Sequence, residues 1–118
     1  MTMSPTRVKY GVAMAAAAMS VTMLAAAPAS AADSKTWKRN CARDSTYTAN
    51  VSDHVATTKK SGGSCAGHAW VRIKVQGSWG TWADSNTTAT RRSPVYAIEA
   101  SQHKDCDCGS ANVHTLYP

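Results

Sequence analysis

The stretch that decides the fold runs from Cys65 to Asp84: Cys-Ala-Gly-His-Ala-Trp-Val-Arg-Ile-Lys-Val-Gln-Gly-Ser-Trp-Gly-Thr-Trp-Ala-Asp. Ala69, Val71, Ile73 and Val75 fall on one face, and His68, Trp70, Arg72 and Lys74 on the other, the period-2 pattern of a half-buried strand. Gln76, Gly77 and Ser78 supply turn chemistry, and Trp79 to Ala83 returns as a partner strand, so the stretch reads as a β-hairpin carrying three of the four tryptophans. If Trp79 and Trp82 share one strand, their odd spacing sends them to opposite sides. At least one ring then packs inward, in a chain that has no phenylalanine. The pattern predicts a β-rich core and names no reaction.

Upstream, residues 1–32 read as a secretory signal. Arg7 and Lys9 form a basic start, Tyr10 to Met23 is an uncharged Ala-rich run, and Ala29-Ser30-Ala31 or Ser30-Ala31-Ala32 offers small residues for cleavage. Pro28 and the small residues come too early for a membrane-spanning helix, which needs about 20 apolar residues. Cleavage after Ala32 leaves 86 of the 118 residues, enough for one small domain. Such a chain buries only about 60% of its unfolded surface, so covalent staples are expected. Thirteen Lys and Arg oppose seven Asp and Glu; removing Arg7 and Lys9 leaves a net charge of +4. That balance suits contact with acidic proteins, anionic wall polymers or lipid headgroups. No Lys/Arg run exceeds two residues, which argues against a nucleic-acid binder.

Residues 33–40 read as a polar arm with Trp37 among Lys35, Lys38 and Arg39, docking either on its own domain or on a partner. Residues 41–118 form the domain. Tyr47 to Val55 alternates as a strand with one wet face. Thr57 to Ser64, with Lys59, Lys60 and Gly62-Gly63, lacks apolar periodicity and reads as a flexible loop, with weak similarity to an anion cradle. Ser85 to Arg92 reads as a loop ending in Arg91-Arg92 before Ser93-Pro94. Val95 to Ser101 reads as a strand burying Tyr96, Ile98 and Ala100, Gln102 to Ser110 as a polar turn, and Ala111 to Tyr117 as a last strand. The fold class is therefore all-β: a small antiparallel sheet or sandwich stapled by two disulfides.

Cys41, Cys65, Cys106 and Cys108 are expected to pair. Cys106 and Cys108 flank only Asp107, a ring too tight for preferred geometry, so each is expected to reach back, one to Cys41 and the other to Cys65. Zinc at Cys65-x-x-His68 and His103-x-x-Cys106-x-Cys108 is disfavoured because exported thiols oxidise and such a site strands Cys41. No metal or cofactor is expected. His54, His68, His103 and His114 read as residues on or beside wet faces, and Asp105 and Asp107 as solvated turn carboxylates. No catalytic motif is present, so an enzyme is disfavoured.

The signal up to Ala32, Cys65-x-Gly-His-Ala-Trp-Val, Trp79-Gly-x-Trp82 and His103-Lys-Asp-Cys106 together resemble the small secreted four-cysteine β-proteins of actinobacteria, among them bacteriocin-like peptides and components of extracellular toxin assemblies. The resemblance implies secretion and carries over no site residue. The expected function is a secreted, non-enzymatic interaction module binding another secreted or cell-surface protein through Trp70, Arg72 and Lys74, with Trp37 and Trp82 in support. Two alternatives are a basic antimicrobial or wall-binding protein and a protease inhibitor using the Ser85 to Pro94 segment.

Overall fold

The computed structural model describes residues 33–118, and the expected signal segment lies outside them. Nine strands follow in order: β1 (Asp33–Arg39), β2 (Ser45–Val51), β3 (Val55–Ser61), β4 (Ala69–Val75), β5 (Ser78–Trp79), β6 (Ala83–Ser85), β7 (Thr88–Arg92), β8 (Ala100–Lys104) and β9 (Val113–Leu116). All pairing is antiparallel. One sheet has the order β1-β2-β3-β7; the other has β9-β8-β4-β5, with β6 also paired to β4. The fold is all-β with two disulfides, as the alternating patterns require.

The inward faces of the two sheets meet in one cluster. Tyr47, Ala49, Val51, Ala56 and Ala89 come from the first sheet, Ala69, Val71, Ile73 and Leu116 from the second, and Ile98 from the segment entering β8. Four of these ten side chains are alanine, so dense packing requires a thin interior. Tyr47 is the largest fully buried side chain, and its hydroxyl donates to Gly67 O at 2.7 Å. Gly67 is required where it stands: a Cβ there would run into the carbonyl oxygen of Asp105.

Several expectations are corrected. The segment read as a polar arm is the edge strand β1, and its Trp37 lies directly opposite Tyr47, so both rings share the inner face and stack 5.7 Å apart. Thr57 to Ser64 is not a loop through most of its length, because residues up to Ser61 form β3, an interior strand between β2 and β7. Its inward positions, Ala56 and Thr58, are small or polar and give no apolar alternation. Ser52 to His54 turn the chain between β2 and β3, so the first strand ends at Val51. Ser85 to Pro94 is likewise no free loop: Thr88–Arg92 pairs with β3. Tyr96 is 53% exposed while Ile98 and Ala100 are buried, and β8 begins only at Ala100 and extends to Lys104 inside the expected turn.

The disulfides join Cys41 to Cys65 and Cys106 to Cys108, not the crosswise pairs expected. The β2–β3 hairpin explains the first. Thr46 opposes Ser61, so the chain just before β2 runs beside the chain just after β3, and Ser64 N–H donates to Arg43 O at 2.8 Å. Cys41 and Cys65 are thereby brought to a Cα separation of 5.4 Å, leaving Cys106 and Cys108 for each other in the turn after β8. Disulfides of this kind are characteristic of oxidising environments. Among the described residues, no helix is long and apolar enough to cross a membrane.

Candidate binding face

Alternation along β4 sends Ala69, Val71 and Ile73 into the core and Trp70, Arg72 and Lys74 to the opposite face. Register adds what neighbouring strands place beside them. Trp70 opposes Lys104 on β8, Arg72 opposes Gln102, and Lys74 opposes Trp79 on β5. Trp79 and Trp82 do not share a strand, so the odd spacing that would split them does not apply. Gly80 N–H donates to Ile73 O at 2.9 Å, and Arg91 Nη2 reaches Thr81 Oγ1 at 3.0 Å and Trp82 O at 3.3 Å, fastening the Gly80-Thr81-Trp82 crossing beside β4.

The result is an interleaved arrangement of rings and cations. The Lys104 ammonium lies 5.1 Å from the Trp70 ring centroid and 4.3 Å from that of Trp82; the Arg72 guanidinium lies 4.7 Å from Trp82 and 4.9 Å from Trp79. Arg72 cannot swing away, because Nε and Nη2 both donate to Gln102 Oε1, at 2.8 and 2.6 Å. Gln102 in turn donates to Thr115 Oγ1, and Lys104 pairs with Asp107 at 3.1 Å. All three rings are half-buried. Of the sequence-derived candidates, Trp70, Arg72, Lys74 and Trp82 therefore stand together. Trp79 and Lys104 join them, Lys104 standing on β8 and not in the turn expected over Gln102 to Ser110.

Trp37 stands elsewhere. Its ring contacts Tyr47 and, at 4.4 Å, His114, and its indole N–H is committed to Asp105 Oδ2 at 2.9 Å. Asp105, expected in a solvated turn, is fully buried. It also accepts from Arg39 Nη1 at 2.9 Å and from the backbone and side-chain nitrogens of Asn112 at 3.0 and 2.8 Å. Burial alone would raise this carboxyl; the hydrogen bonds from Asn112 and Trp37 and the Arg39 charge overcome that and hold it below its ordinary value. Four donors from three residues on two segments thus converge on one carboxylate.

His103 is also fully buried rather than wet. Thr58 spends its hydroxyl hydrogen on Trp70 O at 2.8 Å, so it must accept from His103 Nδ1 at 2.7 Å. Nε2 is then the acceptor for Ser101 Oγ at 2.7 Å. Burial, reinforced by the nearby His114, pushes the imidazole down to about 4. A serine hydroxyl on an imidazole has the spacing of a nucleophile and base, but Ser101, His103 and Thr58 are all fully buried. The donor relay runs from Ser101 through His103 and Thr58 to the Trp70 carbonyl, joining the core to the outer face's own strand.

The other histidines are placed differently. His68 is exposed and paired with Asp84 at 2.8 Å, while His54 Nδ1 lies 2.7 Å from Ser93 O. All four cysteines are oxidised, and among the described residues no group of three or more His, Cys, Asp or Glu is placed to hold a metal. Compared with protein-family models, curated proteins and solved structures, the chain has no match.

Proposed function

We propose that the chain acts as a secreted, non-enzymatic protein-interaction module, gripping another secreted or cell-surface protein through the Trp70–Lys104–Trp82–Arg72–Trp79 face. The observation that carries this reading is the Arg72 side chain, held by Gln102 against two tryptophan rings. Tryptophan and arginine dominate the residues that supply binding energy at protein interfaces, and side chains already fixed lose little freedom on binding. With Arg72, Lys74 and Lys104 together and only Asp107 paired among them, the face suits an acidic partner surface. Because cations already occupy ring surface, the face is less suited to stacking sugars, which favours a protein partner over a wall polymer.

The test is capture from the producing organism's culture fluid on immobilised wild-type protein and on Trp70→Ala. A stoichiometric partner retained by the first and lost by the second is expected. Equal retention by both, or none by either, refutes the reading.

A further inference from the structure

Apart from the tryptophan face, the described residues include an open groove of about 470 Å³ whose lining includes Lys60, Gly62, Gly63, His68 and Asn86. No carboxylate is among its lining residues. The Lys60 ammonium is fixed there by donating to Cys65 O at 2.6 Å and to Asn86 Oδ1 at 2.9 Å, which leaves its third hydrogen uncommitted. Because an ammonium only donates, Asn86 must turn its oxygen towards Lys60, and its amide NH₂ remains free of internal partners among the described residues. Of the neighbouring carboxylates, Asp84 accepts from His68 Nδ1 at 2.8 Å beside the groove, and Asp44 accepts from Cys41 N–H at 3.3 Å. Gly62 carries a φ of +66° and a Cβ there would meet nothing, so its bare backbone lines open space, whereas Gly63, at φ +73°, is packed against the Asp44 carbonyl.

We propose that this groove binds a phosphate-type oxyanion, gripped by the Lys60 ammonium and the Asn86 amide beside the open backbone of Gly62. A fixed ammonium beside uncommitted N–H donors and open glycine backbone, with no acidic group lining the space, is the chemistry an oxyanion requires. The site is separate from the protein-binding reading and does not rest on it. The anion is either free phosphate or the phosphodiester of a polymer or lipid headgroup.

The experiment is an amide and side-chain NMR titration of the disulfide-bonded chain with inorganic phosphate and, separately, with dimethyl phosphate. Saturable shifts centred on Lys60, Gly62, Gly63 and Asn86 are expected, and the more tightly bound of the two probes identifies the source. Asn86→Asp keeps the acceptor that holds Lys60 but puts a negative charge in the groove, so affinity should fall at least about tenfold with the melting temperature unchanged. Lys60→Met, which removes the ammonium, provides an independent variant and should weaken binding at least about tenfold. The proposal is overturned if neither probe gives a saturable shift in the wild type, or if both variants titrate as the wild type does.

Discussion

Trp37 Nε1 donates to Asp105 Oδ2 at 2.9 Å across 68 residues of sequence, tying the edge strand of one sheet to the turn leaving β8 in the other. With Arg39 and Asn112 on the same carboxylate, this is the polar joint between the sheets. Removing the acceptor takes its carboxylate from the half-buried Arg39, which keeps its contacts to Ser110, and leaves three N–H groups without their partner at once. Asp105→Ala should therefore cost about 2–4 kcal/mol, a large part of what a domain this small possesses. Chemical denaturation measures it, and a loss below about 1 kcal/mol would show that the joint carries no weight.

Acid should act through His103. Its folded-state value of about 4 lies below the ordinary 6.5, so the unfolded chain takes up the proton more readily. Stability is full above about pH 6.5 and declines as pH falls towards 4, by about 3 kcal/mol if His103 alone is counted. Asp105, also held below its ordinary value, adds a loss at still lower pH. Melting temperatures across pH 4–8 should fall on the acid side, and His103→Gln should flatten the part between pH 6.5 and 4. An unchanged slope in that variant rules out His103 as the cause.

The two disulfides should differ sharply in their effect on stability. Cys41–Cys65 spans 24 residues, for which chain entropy gives about 3.5 kcal/mol, whereas Cys106–Cys108 spans only 2 and gives less than about 2 kcal/mol. The double variant Cys41→Ser/Cys65→Ser should be close to unfolded at 37 °C, and Cys106→Ser/Cys108→Ser should still melt cooperatively. Equal losses in calorimetry would contradict this ranking.

Trp82 touches both cations, so Trp82→Ala should remove partner binding at a small cost in stability. Each cation–π contact at an exposed site contributes about 0.5–1 kcal/mol to folding, whereas a central interface tryptophan commonly contributes 2 kcal/mol or more to binding. Comparing melting temperature with captured partner separates the two effects. A variant that unfolds before it loses its partner would make the ring a folding element instead.

How much of this could be read from the sequence depended on whether each strand advertised its inward face with apolar side chains. Ala69, Val71 and Ile73 did so, and β4 with its outward Trp70, Arg72 and Lys74 was read correctly. In β3 the inward residues are Ala56 and Thr58, and Thr58 is buried because Trp70 O and His103 complete its hydrogen bonds, partners 12 and 45 residues away. Asp105 was misplaced for the same reason: its burial depends on donors from Trp37 and Arg39, far back in the chain. Lys104 was missed because a turn assignment hid the register that sets it beside Trp70. The Cys41–Cys65 pairing follows from the β2–β3 hairpin, whose second strand carries no apolar alternation, so cysteine spacing alone favours the crosswise pairs.

The inward side of β8 is polar at Ser101 and His103, while Gln102 and Lys104 face outward. A slide of that strand by a single position against β4 would carry a lysine into the interior with no counter-charge and take the imidazole away from the Thr58 hydroxyl. An oily strand would tolerate several alignments almost equally. The hydrophilic lining of β8 therefore works as a key that fits one alignment, and it fixes which side chains the outer surface displays.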